Sequence, residues 1–148
     1  MSNIMDIADA VAAELNAAPD GTFSQSFTAV RKVIPAYELS ELSELKVTVV
    51  PKAVEITSAM RSGSQHDLVV DIGIQQKISK DVDTDVESLM SFVDEIAAYL
   101  TKRKLTDVPW AAWVSIKNEP PYVPEHLLEK RTFTSVLTIT YRGISNNE

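Results

Sequence analysis

The 148-residue chain has no cysteine, only two histidines and only four glycines. Without cysteine there is no disulfide framework, no thiolate nucleophile and no cysteine-ligated zinc or iron centre, so an oxidising compartment is neither required nor excluded and the cytoplasm is the default. The glycines stand apart at 21, 63, 73 and 143 and cannot build a phosphate-cradling loop. His66 and His126 share no metal-ligand spacing, and no G-x-S-x-G elbow occurs. Long apolar runs are missing too: none approaches the roughly 20 residues needed to cross a bilayer. Asp6, Asp9 and Glu14 interrupt the alanine-rich start, which therefore does not read as a signal peptide.

Positive charge is scarce. Fourteen basic residues face 21 acidic ones, a net charge of −7. Residues 1–74 carry −5 of it and residues 75–148 carry −2. Affinity for nucleic acid comes from clustered Lys and Arg that release counterions, and only Lys102-Arg103-Lys104 offers such a run. Classical DNA binding is therefore not expected.

What is present is ordered. With 45% hydrophobic and 24% charged residues, the chain fits one globular domain over 1–148. Ile4, Ile7, Ala8, Val11 and Leu15 follow helical spacing, and the "APDG" at 18–21 stops that helix. Residues 23–34 are β-rich and closed by Pro35; "AYELSELSEL" reads as a short helix or an irregular excursion. The segment "KVTVVPKAVEITSAM", broken by Pro51, then pairs across "RSGSQ" with a strand from His66 to Ile78. In that strand Leu68, Val70, Ile72, Ile74 and Ile78 alternate with polar residues. An arm of that length, about twice an ordinary strand, is expected to project beyond its own core.

Thr84 and Glu87 have capping-box spacing ahead of the stripe Val86, Leu89, Val93, Ile96, Ala97 and Leu100, and Lys102–Lys104 follow where the helix dipole favours cations. After Pro109, Trp110, Ala112, Val114 and Ile116 alternate on one strand face, and the last strand alternates Phe133, Leu137, Ile139 and Tyr141 against threonines and Arg142. The predicted fold is α+β, in the order α-β-β-β-α-β-β. It has a mostly antiparallel or mixed sheet, a long central β-hairpin and two main helices on one face.

No catalytic, metal or cofactor set emerges. Asp81-Val-Asp-Thr-Asp85 has the opening rhythm of a calcium loop, but Val86 replaces its glycine and Phe92 its bidentate glutamate. Acids ahead of a helix are the ordinary reading. Trp110 and Trp113, three apart, fall on opposite faces of an ideal strand, so one is either covered by a neighbouring element or left as an anchor for another subunit. The prolines at 120, 121 and 124 stiffen an elbow around Tyr122, either as a plain connector or as a rigid contact patch.

The long hairpin, the Trp-bearing strand, the Pro/Tyr elbow with "PEHLLEKRTF" and the closing "SVLTITYRG" together resemble the tail terminator, or tail completion, proteins of long-tailed bacteriophages and prophages. The likeness runs over about 4–144 and is one of pattern. It implies a non-enzymatic ring, typically of six copies, that caps the tail tube, ends its polymerisation and meets the head connector. The implied partners are copies of the chain, the major tail tube protein and the head–tail connector proteins; DNA would pass through unbound, with no membrane and no cofactor. The implied location is the tail or neck of the virion, assembled in the host cytoplasm. Arg61, His66, Trp113, Tyr122, Pro124, His126, Leu127 and Leu128 are the interface candidates. The alternatives are a head-completion or connector-adaptor neck protein, and a small ligand-binding or enzymatic α+β domain with its pocket between sheet and helices.

Overall fold

A computed structural model describes residues 3–34, 42–61, 63–78, 81–119 and 121–146. The order is α1 (Asn3–Asn16), β1 (Ala29–Arg31), β2 (Lys46–Met60), β3 (Gly63–Lys77), α2 (Val82–Leu100), β4 (Ala112–Asn118), α3 (Pro124–Lys130) and β5 (Thr132–Asn146). The fold is α+β as expected, with the seven-residue α3 added between the last two strands. The expected helix or excursion over "AYELSELSEL" lies largely outside the described residues, which omit 35–41.

The five strands lie in the order β1-β2-β3-β5-β4. Only β1–β2 is parallel; the other three pairings are antiparallel. Alternation assigns each strand a core face and a polar face. On the core face Leu68, Val70 and Ile72 of β3 stand beside Tyr141, Ile139 and Leu137 of β5, and all six are sealed from solvent. Ile7, Val11 and Leu15 of α1 and Phe92, Val93 and Ile96 of α2 complete the same cluster. Each such aliphatic side chain contributes roughly 1.5–3 kcal/mol on leaving water.

Four local departures from the sequence pattern have physical causes. The β-rich stretch 23–34 yields only three strand residues, because Phe23 and Phe27 instead pack edge-on against Phe92, and Phe23 also meets Tyr99. Ala29 is then held by Asn16, whose side chain donates to its carbonyl (2.9 Å) and accepts from its amide (2.8 Å). Pro51 does not break β2; the ladder shifts register between Pro51 and Ala53 and continues, a bulge on an open edge where proline is tolerated. Helix α2 starts earlier than its Thr84/Glu87 signal, capped by Asp81, which accepts from the Thr84 amide at 3.3 Å. At its other end Arg103 does serve the dipole, donating to the Tyr99 carbonyl at 2.8 Å.

The fourth departure is in β4. A register shift between Trp113 and Ser115 reverses the alternation, so Trp113 faces Tyr141 and Ile116 faces Ile139 on the core side. The expected Trp110/Ala112/Val114/Ile116 face is thereby replaced by Trp113 and Ile116, both packed against the core.

Candidate assembly surfaces

Beyond the row Val54–Leu68–Tyr141 the sheet outruns its helices. Three strands continue as an arm, with Ile56 beside His66 and His66 beside Gly143. Ile56 is 59% exposed although it lies on the core side. The arm expected from the sequence is thus present and ends in the turn that carries exposed Arg61. His66 lines a hollow of about 300 Å³ with Asn3, Trp110, Gly143 and Ile144, none of them acidic.

The polar face of the sheet is tied by charge and hydroxyl groups. Arg142 grips Asp67 with Nε at 2.8 Å and a second nitrogen at 3.2 Å, holding the Asp67 carboxyl below its ordinary range mainly through that hydrogen bond. Thr138 donates to Asp71 at 2.6 Å, and Lys52 lies 3.7 Å from the same carboxylate.

Most of the large exposed apolar side chains lie toward two opposite edges of the sheet, while Ile144 is exposed on β5 and Trp110 lies over Gly143 of the same strand. Val30 lies in β1 with Val33 and Ile34 just after it, and Val54 and Ile56 follow on β2. Trp110 precedes β4, and Tyr122 and Leu128 follow it. Leu128 is 84% exposed, an extreme for leucine; Tyr122 and Pro124 are exposed beside it, on the elbow and at the first residue of α3. The other candidates of that segment are held inward: Leu127 packs on the core, and His126 Nδ1 lies 2.8 Å from Thr134 Oγ1. The elbow itself is fastened to β5 by Glu119 N–H on the Val136 carbonyl (3.2 Å) and Val123 N–H on the Thr134 carbonyl (3.0 Å).

The structure therefore brings Tyr122, Pro124 and Leu128 together on one margin and leaves Arg61 and His66 on the arm. Trp113 is half-buried on the core, while Trp110 is the more exposed indole. Val54 and Ile56 are not legible from the sequence as exposed positions, because an alternating strand gives no sign of where its cover stops. Among the described residues no group of three or more His, Asp or Glu is placed to hold a metal ion, and no helix is long and apolar enough to cross a membrane. Comparisons with models of known families and with curated proteins find no match.

Proposed function

We propose that this chain is a virion assembly protein that closes into a ring of about six copies on the end of a phage tail tube, ends tube growth and joins the tail to the head connector. One observation carries this reading: most of the exposed apolar residues lie toward two unlike edges of one sheet, Val30, Val33, Ile34, Val54 and Ile56 on the β1–β2 side and Tyr122 and Leu128 on the β4 side. Unlike, complementary patches on opposite sides make a heterologous contact, and a heterologous contact that closes makes a ring. The rigid elbow supports the same reading, since a patch already fixed by proline and by two backbone bonds to β5 loses little freedom on docking.

The charge is compatible with the channel of such a ring. A net charge of −7 repels a duplex, which would slide past without specific binding. No cofactor is needed, and the partners are further copies, the tube protein and the connector. Sedimentation over a range of concentrations, with end-on electron micrographs of the largest species, tests the ring. A closed annulus supports it; compact two-fold dimers as the end state would overturn it.

A further inference from the structure

We infer that the open edge of β2 along the arm pairs antiparallel with the β4 edge of a second copy, with Glu55 opposite Lys117 and Ile56 opposite Ile116, so that one sheet runs from copy to copy. The inference rests on the self-association in the proposed function but not on any role in a tail. Beyond Val49, whose carbonyl accepts the Lys32 amide at 3.0 Å, β1 no longer covers β2, and among the described residues no other strand does, while β4 is the last described strand on the far side. The strand senses are right for pairing. β2 is antiparallel to β3, β3 to β5, and β5 to β4, so β2 and β4 run oppositely. In a ring whose axis lies near the strand direction each copy keeps that sense, and β4 of one copy meets β2 of the next antiparallel.

Charge selects the register. Glu55 lies directly across from Asp67, whose carboxylate is already taken by Arg142; among the described residues Glu55 has no ion pair of its own. Lys117 lies on the same polar face of the opposite edge, and among the described residues its ion-pair partner is the exposed Glu119. Setting Lys117 across from Glu55 brings Glu119 level with the bulge that carries Lys52. It also lays half-buried Ile116 against Ile56 on the core side, which covers the apolar surface the helices leave bare.

The stagger this requires fits closure. Within one copy Lys117 is level with Thr138, Asp71 and Val50, whereas Glu55 is level with Asp67. The offset is the four positions from Asp71 to Asp67, roughly 14 Å along strands that rise about 3.4 Å per residue. Across four strands spaced about 4.8 Å it corresponds to a tilt of about 35°, within the range of closed sheets.

The absence of cysteine makes the test clean. Glu55 and Lys117 are both exposed, so Glu55→Cys and Lys117→Cys should each leave the fold intact. Under mild oxidation, alone and on tail tubes, a mixture of the two single variants is expected to give disulfide-linked dimers while neither variant links with itself, and the double variant a ladder up to ring size. Glu55→Lys is expected to weaken self-association by about tenfold or more, and adding Lys117→Glu to restore it. Rings that assemble without these links would overturn the register and leave the ring reading standing. Self-linking of either single variant would overturn the inference in favour of a two-fold contact. A chain that stays monomeric in both settings would overturn both.

Discussion

The indole of Trp110 lies flat enough against Gly143 that a Cβ at that glycine would stand 2.6 Å from ring carbons Cε3 and Cζ3. The glycine is there for space, beside His66 at the base of the arm. Gly143→Ala is expected to push the ring outward and to cost about 1–3 kcal/mol, as overpacking does. A red shift in the tryptophan emission that is absent in Trp110→Phe would report the displacement; an unshifted spectrum with unchanged stability would show that the ring has room to spare.

The Asp67–Arg142 pair gives a signed pH dependence. The Asp67 carboxyl is held below its ordinary value of 3.8 in the folded chain, chiefly by the Arg142 hydrogen bond. Its contribution to stability is therefore fully present above that ordinary value and is lost as the pH falls through the depressed one. Carbon NMR titration of Asp67 should show a midpoint under 3.8 in the native chain and a return toward it in Arg142→Gln. An unmoved midpoint in the variant would assign the depression to another group.

Tyr141 sits at 0% exposure, and its hydroxyl finds no hydrogen-bond partner among the described residues. Burial first, and then the negative charge of Glu14, push its ionisation well above the usual phenol range. Tyr141→Phe removes a desolvated, unpaired hydroxyl while keeping the ring, so stability in urea should be unchanged or raised by about 1 kcal/mol. A clear loss would mean that the hydroxyl is satisfied after all. Absorbance should show no ionisation of this phenol until the chain unfolds.

Trp113 and Tyr122 should now part company. Trp113 packs half-buried on the core beside Tyr141, so Trp113→Ala is expected to destabilise the monomer by about 2–3 kcal/mol, less than the loss of a fully buried aromatic. Tyr122→Ala and Leu128→Ser should leave the unfolding midpoint nearly in place and weaken self-association by about 2 kcal/mol or more, as anchors do. Equal losses of stability in all three would return the elbow to the role of a plain connector.

The long strands were legible because Leu68–Ile74 and Leu137–Tyr141 alternate without interruption, and α2 because its apolar stripe is unbroken. What the sequence concealed were the places where one residue changes the phase of a strand. Nothing in "WAAWVSIKN" announces that the ladder slips between Trp113 and Ser115, yet that slip decides which indole is buried. Pro51 reads as a strand break in the sequence, which does not reveal that among the described residues no strand pairs with that side of β2. Phe23 and Phe27 favoured a strand by propensity, and packing on Phe92 overrode it. The candidate surfaces were half legible: the elbow, with Tyr122 and Leu128, and the arm could be named from proline and strand length, but bare Val54 and Ile56 could not, because alternation does not say where a strand loses its cover.

Electron microscopy of tails assembled with and without this chain tests the account most directly. With it, tubes should have one length, end in a ring and carry heads; without it, they should grow to uncontrolled lengths or remain headless. Tails of normal length joined to heads in its absence would contradict the account.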